Sequence, residues 1–137
     1  MNVYADHILD HYRSPRGRGD LQAATVTHEE RNLSCGDALT LHIRIEDNVI
    51  TQLAWTGNGC AISQAAMSML TERLAGITIA QAAQMLPRDI FAMLGVPIGP
   101  RRLKCALLCL HTLKNALRQL HHEAVQSWLE TMGAQED

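Results

Sequence analysis

The residues with the clearest capacity for chemistry are Cys35, Asp37, Cys60 and Cys105. Cys60 closes Gly57-Asn58-Gly59-Cys60, where an alternating run gives way to a helical pattern that continues through Ala61-Ile62-Ser63. A strand therefore feeds a helix through a turn with two glycines, which allow a sharp bend and close approach of another group. A cysteine in the first turn of a helix meets unpaired N–H groups and the positive end of the helix dipole. Both favour thiolate, the form that binds metal or attacks sulfur. Three thiolates with one carboxylate would make a four-coordinate site suited to zinc or to an iron–sulfur cluster. The hard oxygen of Asp37 should hold a soft-metal load less tenaciously than a fourth cysteine, which suits a site that must release what it binds. No C-x-x-C pair occurs, so spacing alone leaves a second reading open: buried structural cysteines, cysteine being among the most buried residue types.

These residues need elements to position them. Tyr4, Ile8, Leu9 and Tyr12 fall at helical spacing, and Pro15 ends that segment ahead of the loop Arg16-Gly17-Arg18-Gly19. Residues 23–31 form a weak, polar strand candidate, expected at an edge. Leu39, Leu41, Ile43 and Ile45 alternate strictly with Thr40, His42, Arg44 and Glu46, which predicts a half-buried strand. Asp47-Asn48 supplies a tight turn, and residues 49–56 return as the hairpin partner with Val49, Thr51, Leu53 and Trp55 on one face.

From Cys60 onward, Ile62, Ala66, Met69, Leu70 and Leu74 predict a helix with one apolar stripe, ended by Gly76. Thr78-Ile79-Ala80-Gln81 reads as a capping box with Ile77 as the staple, opening a helix to about Leu86 that Pro87 stops. Phe91 and Leu94 suggest one short turn more. The stiff loop 95–100 then places Pro100 in the first turn of a long helix, whose stripe is Leu103, Ala106, Leu110, Leu113, Leu117 and Leu120. A last amphipathic segment carries Val125, Trp128, Leu129 and Met132. Helix, antiparallel strands, then helices predict one α+β domain over 1–137. Its expected form is a small antiparallel sheet of about three strands, helices packed on one face, with an N-terminal helix and C-terminal helices.

Antiparallel neighbours put the start of one strand beside the end of the next. The Cys35 loop and the Cys60 turn are therefore expected at one end of the sheet, with Cys105 joining them if the long helix begins there. Cys109, one turn beyond Cys105 and nearer the apolar stripe, reads as a core residue. The histidines, including His121-His122, have surface or core readings, and Trp55, Met67 and Met69 sit at core spacing.

With 137 residues, the chain is long enough for one core and short for two domains. Twelve basic and 14 acidic side chains give no electrostatic surface for nucleic acid or membrane. The charged N-terminal stretch has no secretory pattern, and the longest apolar run, 105–110, is far too short to span a bilayer. The expectation is a cytoplasmic protein whose thiols stay reduced, so four cysteines suggest metal or sulfur chemistry before disulfides.

Asn32-Leu33-Ser34-Cys35-Gly36-Asp37, Gly57-Asn58-Gly59-Cys60-Ala61-Ile62-Ser63 and Lys104-Cys105-Ala106 resemble the three motifs of the U-type iron–sulfur cluster scaffold family, which comprises IscU, SufU and the NifU N-terminal domain. His11-Tyr12-Arg13-Ser14-Pro15-Arg16 resembles that family's opening segment. The resemblance implies that Cys35, Cys60 and Cys105 are ligand thiols and that Asp37 is the family's motif aspartate. It further implies a scaffold and sulfur acceptor before a turnover enzyme: sulfur arrives from a cysteine desulfurase, a transient [2Fe–2S] cluster is assembled from iron, and the cluster passes to acceptor apoproteins. In the SufU branch the same positions resemble a zinc site that helps sulfur transfer. Arg102-Leu103-Lys104-Cys105 resembles that branch, since IscU members carry histidine before the third cysteine, whereas the absence of an insertion between the second and third cysteines leans back toward IscU. Among the thiols, Cys105 is the expected sulfur acceptor. It follows Arg101, Arg102 and Lys104 and opens a helix, and both features favour thiolate.

Overall fold

The computed structural model describes residues 3–133, with side chains from residue 6 onward; the side chain of Tyr4 lies outside that range. Its order is helix α1 (Val3–Arg13), strands β1 (Val26–Asn32), β2 (Asp37–Glu46) and β3 (Val49–Asn58), then helices α2 (Ala61–Leu74), α3 (Ile79–Ala83), α4 (Pro87–Leu94), α5 (Leu103–Leu120) and α6 (Trp128–Met132). A single 3-10 turn, Pro100–Arg102, leads into α5. The strands form an antiparallel meander in the order β1-β2-β3. The expected α+β architecture is the one observed.

The strict alternation in β2 does what a period of two requires: Leu39, Leu41 and Ile43 are fully buried on one face. Helix α5 lies on β1 and β2, α2 lies on β3 and α5, and α1 packs against α2. The core between sheet and helices is aliphatic, with Trp55 its largest side chain. Trp55 also fastens the loop that follows α1. Its backbone N–H donates to Gly17 O at 2.8 Å, its carbonyl accepts from Gly19 N–H at 2.7 Å, and its indole Nε1 donates to Arg16 O at 2.8 Å. That loop therefore runs along the free edge of β3 and covers backbone groups that an edge strand would otherwise expose.

Several expected details are corrected. In β3 the buried residue near the turn is Ile50, while Thr51 is exposed and Val49 only half-buried. The register explains it: Arg44 pairs with Gln52 but Ile45 pairs with Ile50, so Thr51 is an extra, bulged residue and the alternation inverts there. Helix α2 does not bury one stripe; Ser63, Gln64, Ser68 and Thr71 are buried as well as its apolar residues, because α1, α5 and β3 enclose it. The Thr78 capping box is present, with Thr78 Oγ1 accepting from Gln81 N–H at 3.1 Å and Gln81 Oε1 accepting from Thr78 N–H at 2.9 Å. Its helix ends at Ala83, short of Leu86, and Pro87 opens a two-turn helix where a stop was expected. Pro fits the first position of a helix, where no backbone donor is needed. In the last segment Met132 is buried, but Val125 and Leu129 are exposed, so only part of the predicted amphipathic face is used.

Candidate metal centre

The meander fixes the geometry of the site. Asn32 pairs with Asp37 and Ala38 pairs with Asn58, so the β1–β2 loop and the end of β3 lie at the same end of the sheet. The loop is a tight turn in which Cys35 N–H and Gly36 N–H both donate to Asn32 O, at 3.3 and 2.8 Å, and Ser34 N–H donates to Asn32 Oδ1 at 3.1 Å. It leaves Cys35 exposed at the tip. Helix α5 begins at this end and brings Cys105 Sγ to 3.6 Å from Cys35 Sγ. Asp37, the first residue of β2, is only 2 % exposed and points into the same place. The donor atoms of Cys35, Asp37 and Cys105 all lie within 4.8 Å of one another.

Cys60 stands one step to the side. It is the N-cap of α2, with φ −73° and ψ 165°. Its backbone N–H donates to Asp37 Oδ1 at 3.0 Å, and its Sγ lies 3.6 Å from Asp37 Oδ2. Asp37 thus bridges the Cys35–Cys105 pair to the third thiol. A Cβ on Gly59 would collide with the Asp37 carboxylate, and Gly59 has φ +143°, so this close approach needs glycine. The soft sulfurs with one oxygen match the donor sets that zinc and iron–sulfur clusters accept.

The electrostatics separate these groups. Burial alone would push the Asp37 carboxyl up, but hydrogen bonds from the Cys35 thiol, the Cys60 N–H, Cys105 and Ser63 outweigh it and hold its pKa below the ordinary value. Burial pushes the Cys105 thiol far above the ordinary cysteine range, with the hydrogen bond to Cys35 and the nearness of Cys60 adding to it. Cys105 is 5 % exposed. Desolvation therefore opposes the helix N-terminus and the cations on which the thiolate expectation rested. Those cations, Arg101, Arg102 and Lys104, are exposed and join none of the ion pairs among the described residues. Cys109 is fully buried, its Sγ 3.6 Å from Ala106 O, and burial pushes its thiol up to about 12. It is a core residue, away from the three clustered donors.

Sequence reasoning missed the residues that support the turn. Ser63 Oγ donates to Cys60 O at 3.0 Å, Gln64 Nε2 donates to Gly59 O at 2.9 Å, and Arg18 donates to both Gln64 Oε1 and Gly57 O at 3.0 Å. Arg18 also lies over the Trp55 ring, 5.5 Å from its centroid. Ser63 stood inside a quoted motif and, three residues past an N-cap, was the one legible signal. Arg18 lies 46 residues from Gln64, and no local pattern could have paired them.

Residues 3–126 match the NifU-like N-terminal domain family. The chain belongs to that family. Its relatives include an iron–sulfur cluster assembly scaffold protein IscU from Thermotoga maritima, 34 % identical over 86 % of this chain and 94 % of the relative. A zinc-dependent sulfurtransferase SufU from Bacillus subtilis is 30 % identical over 84 % of this chain and 89 % of its own. Among solved structures, an iron–sulfur cluster assembly scaffold of the SUF system from Fervidobacterium islandicum superposes with a TM-score of 0.73 at 29 % identity, over 84 % of this chain and 96 % of its own. The NifU-like N-terminal domain family thus brings the chain among IscU- and SufU-type scaffold proteins. Among the described residues, no helix is long and apolar enough to cross a membrane.

Proposed function

We propose that the chain assembles a [2Fe–2S] cluster as cargo, with sulfur delivered by a cysteine desulfurase, and passes it to acceptor apoproteins. Cys35, Cys60 and Cys105 are its thiolate ligands and Asp37 is the exchangeable oxygen ligand. The observation that carries this reading is the convergence of the Cys35, Asp37 and Cys105 donor atoms within 4.8 Å at the tip of the sheet, from segments distant in sequence. Membership of a family that includes assembly scaffolds supports it.

Sulfur reaches Cys105 in this proposal through its neighbour. Cys35 is the exposed thiol and receives the persulfide; the Cys105 thiol, 3.6 Å away, attacks the outer sulfur as its proton passes to the departing Cys35 sulfur. The S–S bond to Cys35 breaks, its electron pair stays on the Cys35 sulfur, and no oxidant or reductant is consumed. Cys105 remains the final acceptor.

A second reading is a zinc-dependent sulfurtransferase that relays persulfide sulfur without holding a cluster. Lys104, standing where IscU members carry histidine, and the similarity to the Bacillus subtilis SufU favour it. In that reading the same four residues would hold zinc, which would supply Lewis acidity that keeps thiols ionised. The two are separated by anaerobic incubation with desulfurase, L-cysteine and ferrous iron, followed by addition of an apo-ferredoxin. Visible absorbance that forms on the chain and then moves to the ferredoxin supports the scaffold. Zinc retained throughout, with persulfide on the chain and no absorbance, supports the sulfurtransferase and removes the scaffold reading. Locating persulfide by mass spectrometry tests the relay: Cys35→Ser should lower persulfide on Cys105.

A further inference from the structure

Beside the ligand cluster lies a groove of about 480 Å³ that opens onto Cys35. Asn32 and Ser34 form one side, and Arg101, Lys104 and Trp128 form the other. Neither Arg101 nor Lys104 joins an ion pair among the described residues, so the groove presents positive charge beside an exposed thiol.

The position of Lys104 has a structural cause remote in sequence. Its Nζ lies 5.9 Å from the centroid of the Trp128 ring, within cation–π range. Trp128 is itself held: its ring lies 5.2 Å from the His111 ring, and its carbonyl accepts from Thr131 Oγ1 at 3.2 Å. His111 Nδ1 and Thr131 Oγ1 are hydrogen-bonded at 2.7 Å. Ahead of it, Asn115 pairs with the Gln126 backbone in both directions, at 2.9 and 2.8 Å. Glu30 accepts from Asn115 Nδ2 at 2.8 Å and lies 3.3 Å from His111 Nε2, which ties these anchors to β1. The C-terminal segment is thus docked on α5 by a partly buried polar network, which brings the Trp128 ring beside Lys104.

We propose that this groove binds a small anionic sulfur donor, a persulfide bearing a carboxylate, and that Lys104, positioned by Trp128, sets its preference for negative charge. The Cys35 thiolate attacks the outer sulfur of R–S–S–H, the S–S bond breaks, and its electron pair leaves on R–S⁻. Cys35 becomes the persulfide and no redox partner is needed. This deepens the proposed function by giving its entry thiol a second class of donor, and it rests only on Cys35 being that thiol.

The test compares two disulfide reagents on the full chain freed of metal by chelation, at about pH 8. Dithiobis-nitrobenzoate is a dianion and dithiodipyridine is neutral; each is added below stoichiometry and the initial modification of Cys35 is followed by peptide mass spectrometry. Lys104→Gln should slow the dianion about fivefold, the size expected of one exposed charge acting on two across several ångströms of water. It should leave the neutral reagent nearly unchanged. Trp128→Leu should lower the same ratio, whereas Lys104→Arg and Trp128→Phe should retain it, and the ratio should shrink in high salt. An unchanged ratio in Lys104→Gln, or equal slowing with both reagents, overturns the proposal; an unchanged ratio in folded Trp128→Leu overturns the positioning role. Should Trp128→Leu unfold, seen as new labelling of buried Cys109, the exposed Lys104 variants decide. No cluster is formed in this assay, so its failure and the failure of the assembly reading are separate results.

Discussion

Asp37 is the residue on which the site turns, because one carboxylate meets the Cys60 N–H, the Cys60 thiol and the Cys35–Cys105 pair. In the proposed role of weak, exchangeable ligand it would offer an incoming thiolate its point of entry. Asp37→Ala should therefore make a bound [2Fe–2S] cluster longer-lived and slow its transfer to an acceptor, read as the decay of visible absorbance with and without apo-ferredoxin. Unchanged lifetime and transfer would remove Asp37 from the mechanism. Gly59 makes a companion prediction. Gly59→Ala puts a methyl group into the Asp37 carboxylate at a positive φ, so it should cost about 2–3 kcal/mol in denaturant titration and lower metal content with it. At this scale the sequence was informative about which donor groups meet, since cysteine beside glycine is a chemical signal and Cys35, Asp37 and Cys105 do converge. It did not show the burial of Cys105, which opposes the helix position and cations that were visible there.

At the scale of elements, the hairpin and its alternation were legible because residue pairs across β2 and β3 obey a local period. The bulge at Thr51 was not, because nothing in an apolar/polar pattern marks one unpaired residue. Helix α2 shows the same limit: a stripe was read where nearly the whole surface is buried, since Ser68 looks solvent-facing until its partners are known. Ser68 Oγ accepts from Arg16 N–H at 2.8 Å and is hydrogen-bonded to His11 Nδ1 at 2.8 Å. Ser68→Ala strands the buried His11 ring nitrogen and the half-buried Arg16 N–H and should cost about 1–3 kcal/mol in denaturant titration. The His11 contact also gives α1 a pH dependence. Burial, with Arg16 adding to it, holds the His11 pKa below its ordinary 6.5, and burial does the same at His111. The unfolded chain then takes up these protons at higher pH than the folded one. Stability is full above about pH 6.5 and is lost as pH falls through the folded values. His11→Gln should flatten part of this acid limb in thermal melts; an acid limb identical to wild type would assign it to other groups.

Across the whole molecule, the proposed ligands come from the β1–β2 loop, the cap of α2 and the first turn of α5, so occupying the site would fasten three separate parts of the fold at one end. That the two loops would meet followed from antiparallel pairing alone. That α5 starts at the same end, and that the C-terminal segment docks through Asn115 and His111 beside it, depends on contacts far apart in sequence. Metal binding to the native site and not to the open chain should stabilise the fold by about 4 kcal/mol at a thousandfold excess over the dissociation constant, read as a melting temperature that rises with ligand concentration. The most direct measurement is anaerobic reconstitution of wild type and the four single cysteine-to-serine variants, reading bound iron, sulfide and visible absorbance together. Cys35→Ser, Cys60→Ser and Cys105→Ser should each lose most of the cluster, and Cys109→Ser should keep it at nearly the wild-type level. Equal loss in Cys109→Ser and Cys105→Ser, or full retention in any of the other three, contradicts the ligand set.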